Sequence, residues 1–101
     1  MSDTAIKPQD DNSYLISGEL NMQTVPGLLQ QVEPILNRSQ DEEVCFDLQA
    51  VTRSDSAGLA LLVEWMQFAR QRDRKLSFRN LPEQLRDIAR VSGLEDLLPL
   101  S

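Results

Sequence analysis

The chain contains no histidine among its 101 residues. That absence removes the usual general base at neutral pH, every Ser-His or Cys-His nucleophile and the commonest zinc ligand. A single cysteine, Cys45, excludes an internal disulfide and thiolate metal clusters. Its place in an alternating apolar stretch marks it as a small structural residue. Positive charge is scarce: 10 Lys and Arg stand against 16 Asp and Glu, a net charge of -6. That balance argues against nucleic acid, whose binders present basic patches. The one gathering of cations, Arg70, Arg72, Arg74 and Lys75, is interrupted by Asp73 and sits near a predicted helix end, where cations suit the dipole. Long apolar runs are missing too. Met1 to Asp10 is polar, so neither a signal peptide nor a membrane span is expected, and a cytoplasmic location is. The acidic pairs Glu42-Glu43 and Glu95-Asp96 read as solvated surface. Together these absences predict no catalytic residue, no metal and no cofactor.

What is present centres on the stretch from Val44 to Leu62. Val44, Phe46 and Leu48 alternate with Cys45, Asp47 and Gln49 as in a strand, and after a polar turn an apolar helical pattern begins at Leu59. Asp55 and Ser56 are both good N-caps, and Ser56 is the expected one. The first N–H groups of a helix lack internal partners and carry partial positive charge, so such an end attracts acceptors. Gly58 leaves no side chain in the way of another molecule's backbone. The turn Asp55, Ser56, Ala57 and Gly58 is therefore the expected contact site. Along the helix to about Arg72, Leu59, Leu62, Val63, Met66 and Ala69 predict the core face, while Ala60, Glu64, Gln67 and Gln71 predict the wet one. Leu61, Trp65 and Phe68 form a flanking apolar stripe, covered by the domain itself or offered to a partner; Leu61 and Trp65 are expected to extend the contact.

The remaining chain reads as one domain. Residues 1–12 are a loose segment or a short first strand around Thr4 to Lys7, ending in a turn at Asp11-Asn12; residues 13–101 are the domain proper. Ser13 to Leu20 alternates as a strand broken near Gly18. Thr24 predicts an N-cap, Pro26 a first-turn residue, and Leu28, Leu29, Val32, Ile35 and Leu36 a helix that Pro34 kinks or shortens. Lys75 to Arg79 is a further strand, Glu83 to Val91 a helix stopped at Gly93, and Leu94 to Leu100 an apolar tail packed back on the domain. Strands alternating with helices predict an α/β domain, a mixed sheet of about four strands with helices packed on it.

Ser17-Gly18-Glu19-Leu20, the run from Asp47-Leu48 through Val51 to Ser54-Asp55-Ser56-Ala57-Gly58-Leu59, and Val91-Ser92-Gly93-Leu94 resemble the STAS domain family, over about Ser13 to Leu100. The Asp-Ser-x-Gly-Leu turn before an apolar helix is the specific part of the match. In its phosphoswitch members, the anti-sigma factor antagonists, a partner kinase phosphorylates the serine immediately before the glycine; here that position is Ala57, and Ser56 stands one earlier. Asn21 occupies a place that is commonly acidic. A branch of short stand-alone members in the Mla phospholipid-transport system is similar in having Ser or Thr at the Ser56 position and no serine before the glycine, and it shares the helix start seen as Gly58-Leu59-Ala60-Leu61-Leu62. That resemblance implies a cytoplasmic subunit without catalysis of its own. It would bind the ABC ATPase of an ATPase–permease complex, support assembly and activity, and serve outer-membrane lipid asymmetry. The alternative it implies is a switch protein phosphorylated at Ser56 by a serine kinase.

Overall fold

Apolar alternation and helical periodicity give the expected order of elements in the computed structural model, which describes residues 4–10, 12–38 and 43–99. The strands are β1 (Ala5–Asp10), β2 (Ser13–Leu20), β3 (Glu43–Ser54) and β4 (Lys75–Arg79). Between and after them run α1 (Val25–Arg38), α2 (Ser56–Gln71) and α3 (Glu83–Val91), followed by one 3-10 turn, Glu95–Leu97. Of the expected features, Asp11, Glu42 and Leu100 lie outside the described residues.

The four strands lie side by side in chain order, β1-β2-β3-β4. The first pair is antiparallel and the next two are parallel. Two successive parallel crossovers of the usual right hand, stepping in the same direction, put α1 and α2 on one face of the sheet. On that face Val44, Phe46 and Leu48 of β3 and Phe78 of β4 are wholly buried under Leu28, Val32, Leu36, Leu62 and Leu85 of the helices. Burying each Leu-sized side chain contributes about 1.5–3 kcal/mol.

The first strand is longer than the expected Thr4–Lys7 and is a full member of the sheet. Pro8 sits in it without cost because an edge strand need not donate on its open side. Strand β2 is continuous rather than broken: its register against β3 slips on both sides of Gly18, whose φ is +99°, and the extra residues are carried by β3, which bulges against it. A Cβ there would lie 2.7 Å from the Thr4 Cα, so the close approach of the N-terminal segment also requires glycine. Helix α1 runs 14 residues, straight through the position of Pro34. Pro34 and Gln30, whose carbonyl loses its bond, both lie on the exposed side, where the loss is cheapest. At its start Thr24 does not cap: its hydroxyl turns back to donate to the Glu19 carbonyl and to accept the Asn21 N–H.

Helix α2 buries a wider arc than one stripe. Leu59, Leu61, Leu62, Trp65 and Ala69 are buried, Val63, Met66 and Phe68 are half-buried, and Ala60, Glu64, Gln67 and Gln71 are exposed. The reason is its position, packed on α1, α3 and β4 at once, so that flanks as well as the base are covered.

Candidate functional site

The parallel strands all run toward one pole of the sheet, where β2 and β3 end level with each other and to which the chain after the shorter β4 reaches. The β2–α1 turn, Asn21 to Thr24, is held by Asn21 Oδ1, which accepts the Gln23 and Thr24 N–H groups at 2.8 and 3.1 Å. The β3–α2 turn is tied to it: Leu20 pairs with Ser54, and the Asp55 N–H donates to the Leu20 carbonyl at 3.2 Å. The β4–α3 turn joins from the other side, where Gln84 Oε1 accepts the Ser54 N–H at 3.1 Å. The start of α2 is thus fixed from two sides.

Asp55, not Ser56, is the N-cap. It has extended backbone, φ −113° and ψ −166°, and its Oδ1 accepts the Ala57 N–H at 2.8 Å while its carbonyl accepts the Gly58 N–H at 3.0 Å. Ser56 is the first helical residue, so its side chain is past the place from which a cap can reach back. The consequence is chemical. Asp55 has taken the N–H groups that an external acceptor would have sought, and the Ser56 N–H and hydroxyl remain without a partner among the described residues, on an exposed residue.

Gly58 faces inward. It is buried, and a Cβ on it would fall on the Ser54 Oγ and within 3.1 Å of the Leu20 Cβ. The glycine is required by the seating of α2 on the ends of β2 and β3, and does not open a path for another molecule. Leu61 and Trp65, expected to extend a partner contact, are both 0% exposed. The Trp65 ring packs 4.7 Å from that of Phe46, and its Nε1 is buried without a hydrogen-bond partner. Both belong to the core, so of the six expected contact residues the exposed ones are Asp55 and Ser56, with Ala57 half-buried beside them.

One residue at this pole went unnoticed in the sequence. Met22 is 80% exposed at the tip of the hydrogen-bonded β2–α1 turn. An apolar side chain between the polar Asn21 and Gln23, just ahead of a helix start, is the signal that could have found it.

The sheet face away from the helices carries a polar hub. Asp47 is 2% exposed and accepts from the Gln49 N–H at 3.0 Å, the Gln49 amide at 3.2 Å and the Asn80 amide at 3.0 Å, with the Arg79 guanidinium at 3.5 Å. Burial pushes its carboxyl up, but donation from Gln49, Asn80 and Gln9 and the charge of Arg79 outweigh it and hold the group below the usual aspartate value. Asn80 reaches it from a left-handed backbone, φ 59°. The hub therefore anchors the start of the β4–α3 turn, which leaves β4 opposite Asp47, seven positions before the end of β3. Among the described residues no three of Cys, Asp or Glu gather as a metal site, and no helix is long and apolar enough to cross a membrane.

Comparison with known proteins places this geometry. A family model described as "Mlab, STAS domain" matches residues 10–99. The anti-sigma-B factor antagonist of Bacillus subtilis (strain 168) is 27% identical over 93 residues, 92% of this chain and 84% of that protein. Among solved structures, a chain of the Acinetobacter MlaFEDB complex in an ATP-bound conformation superposes with a TM-score of 0.77 at 24% identity, covering 88% of this chain and 93% of that one. The Bacillus cell fate determinant SpoIIAA in its phosphorylated form gives 0.67 at 15% identity, over 97% of this chain and 90% of that one. At these identities the two structures speak for the fold.

Proposed function

Because the chain belongs to the STAS family, we propose that it is a non-catalytic docking subunit that binds the ATPase of an ABC-type phospholipid transporter. The contact is the pole formed by Met22, Asp55, Ser56 and Ala57. Through that complex the subunit sits at the inner membrane and supports assembly and activity. The observation that carries the reading is the state of Ser56: exposed, with its N–H and hydroxyl unused, beside an Asp55 carboxylate that already fills the helix start. A partner can use those two groups as hydrogen-bonding handles, with the thioether of Met22 as an adaptable apolar contact nearby. A subunit of this kind acts by binding one state of the ATPase more tightly than another, for instance its folded or assembled form.

A second reading is favoured by the Bacillus relative: a regulator of the anti-sigma antagonist type, switched by a serine kinase. Its phosphate would have to sit on Ser56, because Ala57 has no hydroxyl. There it would bring about −1.5 to −2 charges next to the Asp55 carboxylate. The crowding of like charge argues for docking over switching.

Affinity capture of the tagged chain from its own cells, with the bound proteins and the intact mass read together, decides between them. An ABC ATPase with its permease, and an unmodified mass, supports docking. A serine kinase, or a mass raised by the roughly 80 Da of one phosphate, overturns it. Ser56→Glu and Met22→Asp should each lose the ATPase at unchanged melting temperature.

A further inference from the structure

We propose that the far end of α2 holds a second binding site, a groove that takes an extended acidic segment of a partner polypeptide along the free edge of β4. Helix α2 is about 24 Å long at 1.5 Å per residue, so this site and the Ser56 pole stand at its opposite ends. The groove has a volume of about 790 Å³. Met66, Leu76, Leu97 and Pro99 supply its apolar wall, and Arg70, Arg74 and Lys75 its cations.

Three observations identify the occupant. First, β4 is an outer strand, and an extended piece of this chain already pairs with it: the Phe78 N–H points away from β3 and donates to the Pro99 carbonyl at 2.9 Å. Two residues earlier, Leu76 has the same orientation by the two-residue period of a strand, and its N–H and C=O face the groove with no partner there among the described residues. An open pair of backbone groups beside a side-chain wall is the footing that strand addition uses. Second, the charge is opposite to that of the molecule. Among the described residues that line the groove, three cations stand against Glu43 and Asp73, a net +1, while the whole chain is -6. Neither Arg70 nor Lys75 has an ion-pair partner among the described residues. Third, Leu97 is 64% exposed at the mouth, an apolar side chain placed where every second residue of an added strand would meet it.

An added strand gains backbone hydrogen bonds whatever its sequence, and its alternate side chains then select. Side chains on the helix side of the sheet meet Met66 and Arg70, one turn apart on α2, and those on the other side meet Lys75, so each set finds a cation for a carboxylate. A flat anionic bilayer offers the charge but cannot enter a concave site or pair with Leu76.

The test is an amide-shift titration of the isotope-labelled full chain with a short peptide alternating glutamate and valine, with its lysine–valine counterpart, and with vesicles containing anionic phospholipid. The glutamate peptide is expected to bind saturably, to shift the amides of Met66, Leu76 and Leu97, and to weaken as salt is raised. Arg70→Glu combined with Lys75→Glu, both on exposed side chains, should lower its affinity about tenfold or more at unchanged melting temperature, whereas Ser56→Glu should leave it unaltered. The proposal is overturned by the absence of saturable shifts at millimolar peptide, by equal binding of the lysine peptide, by shifts confined to the Asp55 turn, or by vesicles displacing the peptide. None of these outcomes touches the Ser56 reading, whose test is a different capture.

Discussion

Replacing Gly58 by alanine puts two opposing effects on one residue. In an open helix the change gains about 0.5–1 kcal/mol, because glycine loses more backbone freedom on folding. At this site the new methyl would land on the Ser54 hydroxyl and at 3.1 and 3.4 Å from Leu20 Cβ and Cδ1. Ser54 could swing aside only by giving up its 3.2 Å donation to the Asp55 carbonyl, a net loss of about 0.5–1.5 kcal/mol. Leu20 is wholly buried and has nowhere to go, and overpacking of that sort costs about 1–3 kcal/mol. The steric side wins, leaving a destabilisation of about 2 kcal/mol. For a domain of this size that lowers the melting temperature by about 5–15 °C. Thermal and urea unfolding of the Gly58→Ala chain measure it directly. A Ser54→Ala background should return part of the loss by removing the hydroxyl while Leu20 stays. A variant that melts at the same temperature as the parent, or higher, would refute the wedge and restore Gly58 to the surface role expected from the sequence.

Asp55→Ala should cost about 1 kcal/mol as a lost cap, while Ser56→Ala stays within about 0.5 kcal/mol; the reverse order in denaturant titrations would make Ser56 the cap after all. Trp65→Phe should fall within about 1 kcal/mol of the parent, because the lost volume is offset by removing a buried N–H that has no acceptor. Trp65→Ala should cost about 3–5 kcal/mol, and equal costs for the two would place an unseen partner on Nε1. Asp47 holds its proton more weakly folded than unfolded. Its contribution is therefore full above the ordinary aspartate value of about 3.8 and is lost as pH falls through the lower folded value. Stability measured against pH should drop across that interval, and Asp47→Asn should flatten the drop; an unchanged slope would mean another carboxylate governs it.

Much of the fold could be read from local pattern, because each strand and helix carries its own period and the turns carry their own punctuation. The details of the site could not. Asp55 and Ser56 are equally good caps by type, and the choice between them is made by the bond from the Asp55 N–H to Leu20, a contact across 35 positions. Gly58 looked like an opening because Leu20 arrives from β2, 38 positions away, and because the seating of α2 on the strand ends turns Gly58 onto Ser54. Leu61 and Trp65 looked unpartnered because a helix with one dry stripe needs one neighbour, and α2 has three elements packed on it. Each miss comes from tertiary placement overriding a local rule. The Asp-Ser-Ala-Gly turn itself was found because its chemistry is contiguous in sequence.

The strands stand in the sheet in the order in which they occur in the chain. During synthesis β1 and β2 can close as a hairpin before β3 is made. Strand β3 then emerges with its only earlier neighbour already formed, and β4 follows in the same way. No strand waits for a later one to fill a gap between two earlier ones, so no unpaired slot is held open as the chain grows. The exposed edge simply moves outward one strand at a time, and its last position is β4.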